Sequence, residues 1–211
     1  MKNTKQKILN TSRRLFNDMG FGQVTIRMIA SELNMSSGNL NYHFKKREDI
    51  LKALYFEMVE VFDRRIQVLD APKVSLQFMQ ANITTSMERM LEYRFFWTDL
   101  YFLLKSNPEL SAHFTKAKEE RINGYKAVFA SLIHQNILQK PSFPKEYLFL
   151  AHRMIDYSNT WLYASELYDN NKTHDEIIQL ASFQLLSMLY PNLTSMGQEE
   201  FKSLYSGFIS V

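Results

Sequence analysis

The side chains best suited to chemistry form a short polar cluster between residues 36 and 43. This segment is Ser-Ser-Gly-Asn-Leu-Asn-Tyr-His, and its hydroxyl and amide groups both donate and accept hydrogen bonds. The chain has no cysteine, no Gly-x-Ser-x-Gly motif and no phosphate-binding loop, so we expect it not to be an enzyme. Short polar side chains on one helix can instead recognise base edges in the major groove of DNA.

Positive charge is concentrated around the same segment. Residues 1–47 contain nine Lys or Arg against two acidic residues, a net charge of +7, whereas the whole chain carries +3 and the remainder therefore −4. Three of these basic residues, Lys45, Lys46 and Arg47, follow the polar cluster directly. Such asymmetry predicts binding to phosphates at one end of the chain, with an affinity that falls steeply with salt.

Two short helices joined by a tight turn are predicted to present these side chains. Thr25 is a candidate N-cap for the first helix, and Asn34 can adopt the left-handed conformation of the turn. Ser36 is the candidate N-cap of the second helix, in which Leu40 and Phe44 lie four residues apart on the face toward the core. The pattern predicts a helix-turn-helix whose second helix enters the major groove.

Residues 4–51 resemble the N-terminal domain of the TetR family of bacterial transcriptional regulators. The resemblance comprises a first helix with Ile8, Ser12, Leu15 and Phe16 at core spacing, then Gly20-Phe21, Val24-Thr25, Ile29-Ala30, the segment 38–44 and finally residues 48–51. It implies phosphate contacts by Thr25, Tyr42, His43, Lys45 and Arg47, while Ser37, Asn39 and Asn41 are the candidates for base recognition. The full set of predicted DNA-binding residues is Thr25, Arg27, Ser36, Ser37, Gly38, Asn39, Asn41, Tyr42, His43, Lys45, Lys46 and Arg47.

Asn41 departs from the family pattern, which usually has an aromatic residue at this position. An asparagine amide can pair with adenine through both of its ends, so Asn41 could add base recognition where an aromatic ring would stack or bind phosphate. The alternative is that Asn41 is merely solvated, and the sequence does not choose between the two.

The fold class predicted for the whole chain is all-α, with nine or ten helices. Breaks are expected at 70–72, 107–109 and 141–144, and Thr173 with Glu176 forms a candidate capping box. We expect a helix-turn-helix domain over residues 1–47 and a larger helical domain for effector binding and dimerisation over residues 48–211. The apolar part of 177–198 is about half the length that a bilayer requires, so a buried helix is predicted there and no membrane association.

Two helices near residues 145–168 and 174–190 are apolar on more than one face, which predicts burial on both sides. The prediction, which the family resemblance also implies, is a homodimer held by a four-helix bundle, and two-fold symmetry would match a palindromic operator. The predicted interface residues are Ala151, Ile155, Ser158, Leu162, Ser165, Ile178, Leu185 and Leu189. A purely intramolecular core is the alternative.

An aromatic and Met-rich region lies between these helices and the first domain. The resemblance implies an effector pocket here, and flexible Met and aromatic side chains suit an apolar or flat ligand. The predicted lining residues are Phe78, Met87, Phe95, Trp97, Tyr101, Phe102, Tyr125 and Phe129. An ordinary aromatic core is the alternative.

No cofactor or metal is predicted, because pairs such as His152 with Asp156 supply too few ligands. The first residues carry charge without an apolar segment behind them, so a cytoplasmic location is expected. The sequence therefore predicts a ligand-responsive dimeric repressor that binds an operator in double-stranded DNA. Two alternatives remain: a similar protein that acts without an effector, as an activator or nucleoid-associated factor, and a helical scaffold that has lost specific DNA binding.

Overall fold

The computed structural model describes residues 2–66, 74–169 and 171–209, and most of these residues are helical. The helices are α1 (Lys2–Met19), α2 (Ile26–Glu32), α3 (Ser37–His43), α4 (Arg47–Ile66), α5 (Leu76–Glu92), α6 (Arg94–Thr98), α7 (Leu100–Ser106), α8 (Pro108–His134), α9 (Glu146–Tyr168), α10 (His174–Ser187), α11 (Ser195–Leu204) and α12 (Ser206–Ile209). A 3-10 turn, Tyr190–Asn192, and an isolated bridge between Leu138 and Leu193 complete the described part. The all-α prediction is confirmed.

The described helices outnumber the nine or ten that were predicted. The additional ones are short segments such as α6, α7 and α12, which have five, seven and four residues. Helices this short show too few turns for a clear apolar period in the sequence. The breaks predicted at 107–109 and 141–144 and the capping box at Thr173 are present, whereas the break predicted at 70–72 lies outside the described residues.

The chain forms two compact units that are not contiguous in sequence. The first unit comprises Met1–Arg65 and Leu91–Ala112, and the second comprises Ile66–Met90 and His113–Val211. In the first unit, α4, α6 and α7 therefore belong with the helix-turn-helix rather than with the larger domain. The domain boundary predicted at residue 47 does not coincide with the boundary between the compact units. It separates the predicted DNA-binding residues from the rest of the chain, and as a functional boundary it stays a prediction.

The C-terminal end of α1 is fixed to the segment that joins α5 and α6. The side chain of Asn17 donates to the Glu92 carbonyl (2.9 Å) and accepts from the Phe95 amide (3.1 Å), while Arg94 Nε donates to the Asn17 carbonyl (3.0 Å). The rings of Phe16 and Phe95 pack with centroids 5.2 Å apart. We call this set of contacts the α1–α6 joint.

In the second unit, the N-terminal end of α11 and its neighbours are closely packed. A Cβ added to Gly197 would lie 2.3 Å from the Ile137 carbonyl oxygen, so only glycine fits at this position without movement. One turn along α11, a Glu200 carboxylate oxygen accepts from the Leu76 amide (2.8 Å) and so caps the start of α5. The last helices thus hold α5 in place.

Candidate nucleic-acid interface

The helix-turn-helix is built by two side-chain caps and one left-handed turn residue, as the sequence predicted. Thr25 Oγ1 accepts from the Met28 amide (3.2 Å) at the start of α2, and Ser36 Oγ accepts from the Asn39 amide (3.1 Å) at the start of α3. Asn34 has φ of 51° between the two helices. Each cap satisfies a backbone donor that a helix terminus leaves without a partner, which allows two seven-residue helices to begin at defined positions.

Apolar anchors on α3 fix which of its faces points outward. Leu40 is fully buried and Phe44 nearly so, while Asn39 and Asn41 are exposed and Tyr42 is 71% exposed. Within the described chain the side-chain amides of both asparagines make no hydrogen bond. Their donors and acceptors are therefore available to an external partner. Gly38 is exposed as well, and Ser37 and His43 are half-buried at the edges of this face.

Three basic side chains surround the same face. Arg27 on α2 and Lys45 and Lys46 after α3 are exposed, and their charged groups form no ion pair with the part of the chain that the structure describes. The Lys46 amide is used internally, since it donates to Asp49 Oδ2 (3.1 Å) at the start of α4. The arrangement can bind a polyanion beside the face that carries the two asparagines.

Arg47 has a different environment from the one predicted. Its Nη1 atom donates to the carbonyls of Phe21 (2.9 Å), Gly22 (3.1 Å) and Val24 (2.9 Å), and the guanidinium carbon lies 4.2 Å from the centre of the Phe21 ring. The side chain is half-buried in the loop between α1 and α2. Arg47 therefore holds this loop in place, and the structure does not support its assignment as a phosphate contact. The signal in the sequence that could have suggested this role is the aromatic residue Phe21, because a guanidinium can stack on its ring.

The predicted pocket residues are divided between the two units. Phe95, Trp97, Tyr101 and Phe102 belong to the first, and Phe78, Met87, Tyr125 and Phe129 to the second. Tyr101 is 76% exposed and Phe102 59% exposed, because Leu103 is the residue of α7 that turns into the core. Phe95 belongs to the α1–α6 joint. Tyr101 and Phe102 thus face outward in the described chain, and the assignment of the eight residues to an effector pocket stays a prediction.

The predicted dimer-interface residues lie in the interior of the second unit. Seven of them are buried by their own chain, namely Ala151, Ile155, Leu162, Ser165, Ile178, Leu185 and Leu189. Ser158 is half-buried and donates to the Met154 carbonyl (2.6 Å). Their assignment to a dimer interface stays a prediction; in the described chain the most apolar faces of α9 and α10 are already covered by the rest of the unit.

A different stripe of α9 is exposed. Its residues recur at alternating spacings of four and three, which is the seam pattern of two helices packed side by side: Phe149, Arg153, Asp156, Thr160, Tyr163 and Leu167. Beside it, α9 and α10 enclose a groove of about 350 Å³, lined by apolar side chains such as Trp161, Ala164 and Leu180 and by Tyr157 and Gln184. The Tyr157 hydroxyl donates to Gln184 Oε1 (2.6 Å), and burial raises the pKa of Tyr157 to about 12.

The described residues contain no group of three or more His, Cys, Asp or Glu side chains arranged to hold a metal ion. Across the same residues, no helix has both the length and the apolar character to cross a membrane.

A capped helix-turn-helix with an outward polar face and a basic border defines a DNA-binding protein of the helix-turn-helix class. Two family models match the chain: one described as "Bacterial regulatory proteins, tetR family" over residues 8–54, and one described as "Bacterial transcriptional repressor" over residues 57–201. The chain belongs to the TetR family of transcriptional regulators.

Individual relatives agree with this assignment. A TetR-family transcriptional regulator from Marinobacter aquaeolei VT8 shares 26% identity and superposes with a TM-score of 0.88, covering 97% of this chain and 98% of the other. The HTH-type transcriptional repressor KstR2 of Mycolicibacterium smegmatis is 26% identical over 56% of this chain and 59% of its own length. A regulator from Saccharomonospora viridis, solved in complex with choline, has the same fold (TM-score 0.70, 20% identity, 92% and 98% covered). The match spans 43 to 59% of the length of the curated relatives.

Proposed function

We propose that the protein is a dimeric repressor that binds a roughly palindromic operator and is released from it by a small effector. The observation that carries the DNA-binding part is the outward face of α3, where two asparagine amides without internal partners lie next to unpaired basic side chains. The side chains on this outward face of α3 are not required for packing, so they are available to bind DNA.

The contacts with DNA divide by chemistry. Asn39, Asn41 and Ser37 would recognise base edges, since amide and hydroxyl groups match the donor and acceptor pattern of the major groove. The phosphate contacts would come from Arg27, Lys45, Lys46, Tyr42 and His43. The hydroxyls of Thr25 and Ser36 use their oxygens as caps, which leaves each hydroxyl hydrogen for a phosphate oxygen.

The proposed dimer surface is the exposed stripe of α9 together with the groove beside it. Four of the large exposed apolar side chains of the described chain, Phe149, Tyr163, Leu167 and Tyr168, are on this helix. Apolar residues clustered on one exposed helix face mark an interaction site. A two-fold axis through this surface would present two α3 helices to two half-sites.

Release by an effector is supported by the way α5 connects the chain. This helix begins in the second unit, and its last two residues belong to the first, immediately before the α1–α6 joint. A ligand that shifts α5 would thereby act on α1, which packs against α2 of the helix-turn-helix. Repression is supported by the KstR2 relative, which is itself a repressor.

The experiment that tests this proposal is selection from a library of random duplex DNA at about 100 mM salt, followed by sequencing of the retained molecules. Enrichment of an inverted repeat is the expected result, and the recovered sequence then serves to screen effectors for release. Retention without sequence preference and with strong salt sensitivity would contradict the proposal and favour a nucleoid-type role.

A further inference from the structure

The exposed stripe of α9 is symmetric in its spacing. Successive residues are 4, 3, 4, 3 and 4 positions apart, so the spacing reads the same in both directions from residue 158. From its N-terminal end the stripe is apolar, basic, acidic, hydroxyl-bearing, aromatic and apolar: Phe149, Arg153, Asp156, Thr160, Tyr163 and Leu167. Two antiparallel copies of α9 that meet at residue 158 would therefore place each side chain opposite one of a different kind.

An antiparallel pairing about residue 158, which we call the centred register, matches complementary side chains. Phe149 then faces the partner's Leu167, and both are large exposed apolar side chains. Arg153 faces the ring of the partner's Tyr163, on which a guanidinium can stack. In the described chain Arg153 forms no ion pair and the Tyr163 hydroxyl no hydrogen bond, so both are available to a partner. The two central positions place a carboxylate beside a hydroxyl group.

Other pairings of the same stripe are less favourable. Parallel copies in register would place Arg153 beside Arg153 and Asp156 beside Asp156, and like charges at an interface repel each other. An antiparallel register moved by one heptad would pair Arg153 with the partner's Asp156, but it would leave Tyr163 and Leu167 opposite polar residues. An exposed ion pair contributes less than the burial of large apolar side chains, so the centred register is favoured.

The groove between α9 and α10 lies beside the C-terminal half of this stripe. Ala164 and Tyr168, which line the groove, are three residues before and one residue after Leu167. Ala164 is exposed and has a small side chain, so a second helix can approach closely here. In the centred register Phe149 of the partner subunit faces Leu167 and therefore lies at the edge of the groove.

We propose that two copies of α9 pack antiparallel about a two-fold axis at residue 158, and that each copy inserts Phe149 into the groove of the other. A second copy of this chain is the occupant that fits, because the stripe is complementary to itself in charge and in apolar character. The proposal rests on the proposed dimer surface and adds which residues meet across it.

Cysteine cross-linking tests the register, and the chain has no cysteine of its own to interfere. Phe149→Cys and Leu167→Cys are introduced separately into the full-length protein, with tags of different size, and are oxidised alone and after co-expression. We expect a disulfide only between the two different variants. In the centred register, each cysteine lies about 27 Å along the helix from its own copy, which is beyond the reach of a disulfide.

Co-expression of Phe149→Cys with Thr160→Cys is the matched control and should give no mixed cross-link. A covalent dimer of either Phe149→Cys or Leu167→Cys alone would indicate parallel helices, and a cross-link from 149 to 160 would indicate the shifted register. Either result would overturn the inference.

Mass measurement by light scattering separates this inference from the proposed function. A dimer that forms no cross-link between 149 and 167 would overturn the inference and leave the dimeric repressor in place, whereas a monomer would contradict both. The expected cross-link in a protein that enriches no inverted repeat would keep the inference and contradict the proposed repressor.

An exchange of charge tests the same register without cysteine. Tyr163→Arg should weaken the dimer by about 10-fold, because two arginines then face each other at two symmetric places. Adding Arg153→Glu to Tyr163→Arg should restore dimerisation, since a glutamate and an arginine face each other only in the centred register. Both positions are exposed, so folding should be unaffected. Failure of the second substitution to restore the dimer, followed by light scattering on dilution, would overturn the inference.

Discussion

Replacement of Arg47 tests whether this residue positions the helix-turn-helix or contacts DNA. In Arg47→Met, Nη1 no longer donates to three loop carbonyls, but this atom has only two hydrogens, so at most two full hydrogen bonds are lost. With about 1.5 kcal/mol for each charge-assisted bond and about 0.5 to 1 kcal/mol for stacking on Phe21, the contacts sum to about 4 kcal/mol. The loop carbonyls can be hydrated in the variant, which reduces the expected loss of stability to about 2 to 3 kcal/mol.

The assay combines unfolding with DNA binding. For a chain of this length, a loss of about 2 to 3 kcal/mol corresponds to a melting temperature lower by about 4 to 12 °C. At a temperature where Arg47→Met is folded, the salt dependence of its affinity for duplex DNA should equal that of the wild type. Lys45→Met is the matched control, because Lys45 is exposed and unpaired: its stability should be unchanged and its salt slope smaller by about one unit.

The opposite pattern for Arg47→Met would refute this reasoning. Wild-type stability together with a salt slope smaller by about one unit would make Arg47 a phosphate ligand after all. A variant that loses both stability and slope would show that the loop contacts and the phosphate contact coexist, which the geometry of Nη1 does not support.

Three further substitutions test other parts of the structure. Asn39→Ala should relax sequence preference at one operator position by about 1 to 3 kcal/mol, measured by repeating the DNA selection, and an unchanged preference would contradict its role in base recognition. Leu167→Glu should shift the mass measured by light scattering from dimer toward monomer. Tyr101→Glu, at a still more exposed apolar site on α7, should leave the mass unchanged, and the same mass for both variants would contradict the α9 interface. Gly197→Ala should lower the unfolding free energy by about 1 to 3 kcal/mol through its clash with the Ile137 carbonyl, and wild-type stability would show that this contact relaxes freely.

The parts of the fold that were predicted correctly are those determined by a few neighbouring residues. The caps at Thr25 and Ser36 and the left-handed conformation of Asn34 depend on side-chain and backbone preferences within four residues, so the sequence contains them directly. The exposed positions of Asn39 and Asn41 follow from helical periodicity once Leu40 faces the core.

The sequence could not determine which neighbour a buried or basic residue contacts. The apolar faces of α9 and α10 showed that residues such as Ile155 and Leu162 are buried, but an apolar pattern does not distinguish burial within the chain from burial against a partner. The same holds for Arg47. From the sequence, a basic residue after α3 could bind a DNA phosphate or the carbonyls of a loop, and the loop that Arg47 contacts is 23 to 26 residues away in sequence. Contacts of this kind depend on tertiary structure.

In α3 and at its end, the residues that hold the helix in the core differ from those that face outward. This difference affects how the DNA sequence specificity of the protein can change. Leu40 and Phe44 hold the helix, whereas Asn39 and Asn41 contribute no hydrogen bond from their side chains to the described chain. Substitutions at the two asparagines should therefore be nearly neutral for folding, so mutations can accumulate there without first requiring compensation elsewhere. A duplicated copy of this gene could acquire a new operator through a few such changes, and the same two positions are the natural ones to randomise when redirecting the protein to a chosen DNA sequence.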